Sequence, residues 1–256
     1  MKKTENPAAT GFASLGLDPR LVTALGALGY EEPTPIQSEA IPPLLAARDL
    51  LAQAATGTGK TAAFALPMLH RLSLAEKGRK GVFGLVLVPT RELAMQVAEA
   101  VHRYGRDLGV RVLAVYGGSP MSQQLRSLER GVDIVVATPG RVLDHIRRRT
   151  LSLADLGLVV LDEADEMLDM GFHEDLEAIL EATPKGRPTA LFSATLPARI
   201  TGIANKHLQN PISIRLDGKS HGGTATAATA RVKQTAYVVN RAHKLAALSR
   251  ITTYAG

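Results

Sequence analysis

Short apolar runs alternate with longer amphipathic stretches along most of this chain. Runs rich in Val, Leu and Ile fall at Asp49–Ala54, Gly84–Val88, Val110–Tyr116, Asp133–Ala137, Leu156–Leu161, Thr189–Phe192 and Pro211–Leu216. Each is too short for a typical helix and most are bounded by Gly, Pro or Asp, so each predicts a strand. Between them lie stretches of helical character, such as Thr61–Leu74, Glu92–Leu108 and Ser119–Arg130. In the second of these, Leu93, Val97, Val101 and Tyr104 recur on one helical face. Strand and helix repeated in this order predict an α/β fold, a mostly parallel sheet with helices on both faces. Runs with no polar alternation, such as Leu85-Val86-Leu87-Val88, fit strands covered on both sides. Ligands of such sheets bind beyond the carboxyl ends of the strands, so the chemistry is expected in the loops that follow the runs.

The periodicity fades in residues 217–231, where small residues dominate and the chain reads as a flexible linker. Beyond it, Val232–Val239 predicts another strand and His243–Ile251 the start of a helix. Residues 232–256 are too few to form a domain by themselves. The organisation expected is a polar tail over 1–11, a large domain over 12–216, the linker, and the opening of a second unit over 232–256.

Composition narrows the classes. The 256 residues are 45% hydrophobic and 21% charged, enough apolar surface for a full core. A net charge of +6 suits a polyanionic partner, although solubility alone would also account for it. The chain has no cysteine, which excludes disulfides, thiolate metal sites and a cysteine nucleophile. Met1–Thr10 is polar, unlike a signal peptide, and no apolar stretch approaches the ~20 residues that cross a bilayer. A cytoplasmic protein with no membrane partner is expected.

Two loops carry the first chemistry. The run Asp49–Ala54 leads directly into Ala54-Ala55-Thr56-Gly57-Thr58-Gly59-Lys60-Thr61 and then a helical pattern, a phosphate-binding loop with Ala in place of its usual first Gly. Small residues let the backbone N–H groups curl toward phosphates at the positive end of the next helix. Lys60 would neutralise the β- and γ-phosphates, and the Thr61 hydroxyl would hold Mg²⁺. A second run, Leu158-Val159-Val160-Leu161, delivers Asp162-Glu163-Ala164-Asp165. Asp162 is assigned to the metal and Glu163 to the attacking water, because phosphoryl transfer needs positioning and charge neutralisation more than covalent chemistry. An acidic turn alone would read as a solvated helix start; paired with the phosphate loop it reads as an ATPase or NTPase site.

Further segments follow in a fixed order: Gly29-Tyr30-Glu31-Glu32-Pro33-Thr34-Pro35-Ile36-Gln37, Pro89-Thr90-Arg91-Glu92-Leu93, Gly117-Gly118, Thr138-Pro139-Gly140-Arg141 and Ser193-Ala194-Thr195. With Asp162–Asp165 they make the chain resemble the bacterial DEAD-box ATP-dependent RNA helicases, from about Phe12 to Leu216. The resemblance implies a RecA-like P-loop NTPase domain, with ATP and Mg²⁺ as cofactors and RNA, single strand or duplex, as a partner bound without sequence preference. Tyr30, Pro35 and Gln37 then belong to the adenine site. The Gln37 carboxamide can both donate to and accept from one adenine edge, a pattern guanine reverses. Phe12, 17 residues before Gly29, stands where members carry an aromatic that stacks on the base, and reads equally well as a core residue. Pro89, Thr90, Arg91, Gly117, Gly118, Thr138, Pro139, Gly140 and Arg141 would line the RNA backbone, with Gly117-Gly118 permitting close approach and the arginines meeting phosphates. Ser193 and Thr195 would couple the acidic tetrad to motor closure. Arg147-Arg148-Arg149 reads as a solvated helix end.

Family members also carry a second RecA-like domain that supplies arginine fingers, and residues 232–256 resemble only its opening strand and helix. These residues alone are therefore expected to bind adenine nucleotide, to hydrolyse ATP barely and not to unwind a duplex, since an arginine finger contributes on the order of 10³–10⁵ in rate. Val232–Val239, an apolar strand without a sheet of its own, is expected to be disordered, to pack on a neighbouring molecule or to pair at an edge, which leaves self-association through this segment open. Two other readings stay open on sequence: an ATP-driven DNA translocase or remodeller on the same core, and a non-enzymatic ATP-gated RNA clamp.

Overall fold

The computed structural model describes residues 10–75, 81–216, 238–240 and 243–254. Two compact units divide the chain, Met1–Gly218 and Lys219–Gly256. In the first, a 3₁₀ turn (Gly11–Leu15) precedes α1 (Pro19–Ala27) and α2 (Pro35–Leu45). Then follow β1 (Leu50–Gln53), α3 (Lys60–Leu74), β2 (Gly84–Leu87), α4 (Arg91–Tyr104), β3 (Val112–Val115) and α5 (Met121–Glu129). The unit continues with β4 (Ile134–Ala137), α6 (Pro139–Arg147), β5 (Leu158–Leu161), α7 (Ala164–Asp169), α8 (His173–Glu181), β6 (Thr189–Ser193), α9 (Ala198–His207) and β7 (Ile212–Arg215).

The strands form one seven-stranded sheet in the order β3-β4-β2-β5-β6-β1-β7. Every pairing is parallel, so the expected "mostly parallel" sheet is wholly parallel among the described residues. Its two faces separate by the alternation of side chains along each strand. Val86, Val136, Val160 and Phe192 pack toward α1–α4, while their neighbours Leu85, Leu87, Val135, Val159 and Leu191 pack toward α6–α9. Strands β2, β4, β5 and β6 are buried at every position, which explains their lack of any polar alternation.

Several elements are shorter than the apolar runs suggested, and glycines set the limits. The stretch Glu92–Leu108 is not one helix. It breaks at Gly105, after which Arg106–Leu108 forms a separate 3₁₀ turn. A β-carbon at Gly105 would lie 2.3 Å from a Val110 methyl, so the chain turns where only glycine fits. Strand β5 starts two residues later than the run Leu156–Leu161, because Gly157 passes against Phe83, where a β-carbon would come within 2.2 Å of the ring.

One tie was not visible in the sequence. Asp49 is 7% exposed at the foot of β1, and its carboxylate accepts the backbone N–H of Thr189 (2.7 Å) and of Gln209. One side chain thereby registers the starts of β1, β6 and the segment entering β7. No helix among the described residues is long and apolar enough to cross a membrane.

The linker 217–231 lies outside the described residues, as does most of the expected strand Val232–Val239, whose last two residues are described and form no strand. In the second unit, the expected helix at His243–Ile251 is present as α10 (Lys244–Tyr254).

Candidate nucleotide and nucleic-acid site

The loop after β1 closes on itself through the residues that the chain places there. Gly57 and Gly59 adopt φ values of 79° and 96°, a region open to glycine and costly for other residues. Thr58 Oγ1 donates to the Ala55 carbonyl at 2.8 Å, and the loop delivers Lys60 and Thr61 as the first residues of α3. The Lys60 ammonium, buried with 6% of its side chain exposed, donates to the Ala54 carbonyl at 3.2 Å and lies 3.7 Å from Asp162 Oδ1. Residues about 100 positions apart in sequence therefore meet at one rim, because β1 and β5 both flank β6.

Asp162 ends β5 almost fully buried. Burial pushes its carboxyl up to about 6, with Lys60 pulling it down and Glu163 pushing further up. A cation beside it would hold this carboxylate ionised, which is the environment a metal ligand needs. Glu163 sits in the left-handed region (φ 52°, ψ 49°) and opens α7. Backbone strain of about 1–3 kcal/mol at a non-glycine residue is typical of functional turns. Its N–H donates to Asp162 Oδ1 at 3.0 Å, so the strained turn also fixes the aspartate.

Ser193 and Thr195, at the end of β6, lie beside the tetrad. Ser193 Oγ donates to the Thr195 carbonyl at 2.6 Å, and Thr195 donates to Asp165 Oδ2 from its N–H (2.9 Å) and its hydroxyl (2.8 Å). Burial would raise Asp165, but the bonds from Thr195, Ser193 and the Ala194 amide hold it below the usual carboxylate range. Asp165 is a site residue that the sequence reading left without a role; its place two residues after Glu163, at the start of α7, was the available signal.

Of the residues expected at the adenine, Gln37 bonds the same loop, together with its neighbour Thr34. Thr34 N–H donates to Gln37 Oε1 at 2.9 Å, Gln37 Nε2 donates to the Gly59 carbonyl at 3.1 Å, and Thr34 Oγ1 donates to the Thr58 carbonyl at 2.9 Å. Gln37, 1% exposed, thus caps α2 and braces the phosphate loop at once, a role its adenine assignment did not include. Pro35 is exposed at the first position of α2. Tyr30 pairs hydroxyls with Tyr104 at 2.8 Å and stands edge-on to Phe12, ring centroids 6.2 Å apart. Phe12 is only 4% exposed and belongs to the core, so it offers no open ring face for stacking in this conformation; of its two readings, the packing matches the core residue.

The remaining motifs gather on the other half of the same rim. Pro89–Arg91 follow β2, Gly117-Gly118 follow β3, and Thr138–Arg141 follow β4, and these three strands are contiguous. Gly117 and Gly118 are exposed, the latter at φ 84°. Thr90 caps α4 by accepting Leu93 N–H at 3.2 Å, and Pro139 opens α6 after Thr138. Gly140 is exposed beside it. Arg91 is exposed and paired with its neighbour Glu92. Arg141 is half-buried and donates to the Ser119 carbonyl at 2.9 Å and to Gln124 Oε1 at 3.2 Å.

These residues fit a magnesium nucleotide. The loop presents a glycine cradle, in which a β-carbon at Gly59 would come 2.5 Å from Gln37 Nε2, and a buried cation faces a buried carboxylate. Among the described residues no three His, Cys, Asp or Glu cluster into a metal cage.

Fold and site together define a RecA-like P-loop domain. A family model described as DEAD/DEAH box helicase matches residues 34–203. The chain belongs to that family. It is 51% identical over 210 residues to the ATP-dependent RNA helicase CshA of Listeria monocytogenes, covering 82% of this chain and 40% of that protein. It is 47% identical over 249 residues to the ATP-dependent RNA helicase DeaD of Mycobacterium tuberculosis, covering 96% and 42%. Among solved structures, a hypothetical ATP-dependent RNA helicase from Sulfolobus tokodaii superposes with a TM-score of 0.72 at 38% identity, covering 78% of this chain and 57% of that one. The chain thus spans about two fifths of the length of these curated relatives.

Proposed function

We propose that this chain is the ATP-binding core of a cytoplasmic, ATP-driven RNA helicase. The observation that carries the reading is the meeting of Lys60 and Asp162, 3.7 Å apart and both buried, at the mouth of a glycine loop. Residues 12–216 form the first RecA-like domain, 217–231 the linker, and 232–256 the opening of a second. The match to DeaD over 249 residues, reaching beyond the first unit, supports that division.

In this reading the N–H groups of residues 55–61 cradle the phosphates, and Lys60 neutralises the β- and γ-oxygens. Thr61 and Asp162 would hold Mg²⁺, which would supply neutralisation of the charge on the phosphates. Glu163 orients the attacking water and takes up its proton. Gln37 transmits the identity of the base to the loop that it braces. Ser193, Thr195 and Asp165 join the ends of β6 and β5, so movement of one reaches the other. Arg91, Gly117, Gly118 and Thr138–Arg141 hold an RNA backbone on the adjoining half of the rim. Hydrolysis and unwinding require the second RecA-like domain of the whole protein.

Affinities for ATP, ADP and GTP with Mg²⁺ test the reading. ATP and ADP should bind, GTP about tenfold or more weakly, because a mismatched buried amide costs about 1–3 kcal/mol. Lys60→Ala should abolish ATP binding at the concentrations that saturate the wild type. ATP affinity indifferent to Lys60→Ala would overturn the nucleotide assignment, and equal stimulation of hydrolysis by DNA and RNA in the whole protein would overturn RNA as the partner.

A further inference from the structure

Behind the exposed Gly117-Gly118 loop lies a buried polar cluster that the assignments above leave without a role. Gln124 of α5 is 3% exposed and His145 of α6 is fully buried. Gln124 Oε1 faces both Arg141 (3.2 Å) and His145 Nε2 (2.9 Å), while Gln124 Nε2 donates to the Tyr116 carbonyl at 3.1 Å. His145 Nδ1 lies 2.8 Å from Thr150 Oγ1. The chemistry of these groups fixes their orientation. A guanidinium only donates, so the Gln124 carbonyl must face it, and His145 Nε2 must then carry hydrogen to reach the same oxygen. Burial, and secondarily Arg141, hold His145 below its ordinary pKa, and the Thr150 hydroxyl lies within reach of both Nδ1 and the His145 carbonyl (3.1 Å).

The cluster joins the ends of the segments proposed to hold RNA. Gln124 grips the carbonyl just before Gly117, and Arg141 grips the carbonyl of Ser119 just after Gly118. The exposed glycine loop is thus clamped at both ends by one amide and one guanidinium, and His145 sets the amide. Arg141 uses one terminal nitrogen in these bonds, leaving Nε and the other terminal nitrogen without a hydrogen bond among the described residues. Glycines at an exposed loop have much backbone freedom to lose on binding, so clamping them in advance lowers that cost.

We propose that Gln124 and His145 are positioning residues for the nucleic-acid strand. They touch no substrate, and they preset the Gly117-Gly118 loop and the guanidinium of Arg141 as one phosphate-binding unit. The proposal rests on the assignment of that rim to RNA.

The test compares wild type, His145→Leu, His145→Gln and Gln124→Glu. One readout is binding of a fluorescent single-stranded oligouridylate, a second is ATP affinity, and a third is hydrogen exchange at Tyr116–Ser119. His145→Leu removes the donor to Gln124 and should weaken oligouridylate binding about fivefold to tenfold, with ATP affinity within about twofold. Exchange at Tyr116–Ser119 should accelerate in the same variant while amides of β2 and β5 keep their protection. His145→Gln, which restores an N–H near the Nε2 position, should recover most of the loss. Gln124→Glu keeps the shape of the side chain but cannot donate to the Tyr116 carbonyl and pairs with Arg141, so it should weaken RNA binding without loss of fold. Unchanged exchange at Tyr116–Ser119 in folded His145→Leu or Gln124→Glu would overturn the clamp. Parallel losses of RNA and ATP affinity in both would do the same, because they would mark a general structural role. Absence of oligouridylate binding by the wild-type protein, with the exchange change still present, would instead sink the RNA assignment and leave the clamp standing.

Discussion

Gly57 and Gly59 occupy the same loop and the same half of backbone space, yet alanine should be tolerated very differently at the two. At Gly57, φ is 79° and a β-carbon meets nothing within 4 Å, so Gly57→Ala carries only the left-handed penalty of about 1–2 kcal/mol. At Gly59, φ is 96° and the new carbon falls 2.5 Å from Gln37 Nε2 and 3.0 Å from Thr34 Oγ1. A side-chain amide can ordinarily swing aside, but Gln37 is 1% exposed and bonded at both ends, to Thr34 N–H and to the Gly59 carbonyl. Moving it breaks both bonds and leaves buried partners, a further loss of about 2 kcal/mol at about 1 kcal/mol each. Gly59→Ala should therefore destabilise the nucleotide-free protein by about 3–4 kcal/mol, roughly 2 kcal/mol more than Gly57→Ala. Urea denaturation followed by circular dichroism, without nucleotide, measures the difference directly. Equal midpoints and slopes for the two variants would refute the claim that Gln37 is locked between the α2 cap and the phosphate loop.

Asp49→Ala leaves the N–H groups of Thr189 and Gln209 without their charged acceptor and should cost about 2–4 kcal/mol, or about 5–15 °C in Tm, with ATP affinity unchanged because the tie lies at the opposite sheet edge from the loop. Asp165→Ala removes the acceptor of both Thr195 bonds and should speed hydrogen exchange at Ala194–Thr195 while ATP affinity stays within about twofold; unchanged exchange would argue against the latch. Asp18 caps α1, and the Arg20 guanidinium, despite some opposition from burial, holds its carboxyl well below the usual range. A depressed carboxylate stabilises the fold above its unfolded pKa and loses that contribution as pH falls through and below about 4. The stability gap between wild type and Asp18→Ala, about 1 kcal/mol at pH 7, should thus shrink between pH 5 and about pH 2, as read by chemical denaturation at each pH.

Much was legible along the chain because the relevant physics is local. A strand buried on both faces must be apolar throughout, so β2, β4 and β5 announced themselves in Leu85–Val88, Asp133–Ala137 and Leu158–Leu161. A turn that presents N–H groups to phosphate needs small residues before a helix, so Ala54–Thr61 marks a strand–helix junction in the sequence itself. Boundaries were less legible, since Gly105 and Gly157 end elements through close approach to Val110 and Phe83, neighbours whose distance the sequence does not state.

The tertiary structure alone decided how the motifs are sorted. Along the chain the segments proposed for nucleotide, after β1, β5 and β6, are interrupted by those proposed for nucleic acid, after β2, β3 and β4. Sheet order rearranges them into two contiguous sets, β5-β6-β1 with Lys60, Asp162 and Ser193, and β3-β4-β2 with Gly117, Thr138 and Arg91. The same folding closed Phe12 into the core, turned Gln37 into a brace for Gly59, and buried Gln124 and His145 beneath the glycine loop. Each of these depends on which surfaces meet across long sequence separations, and local periodicity carries no record of such meetings because it reports only which faces are to be buried.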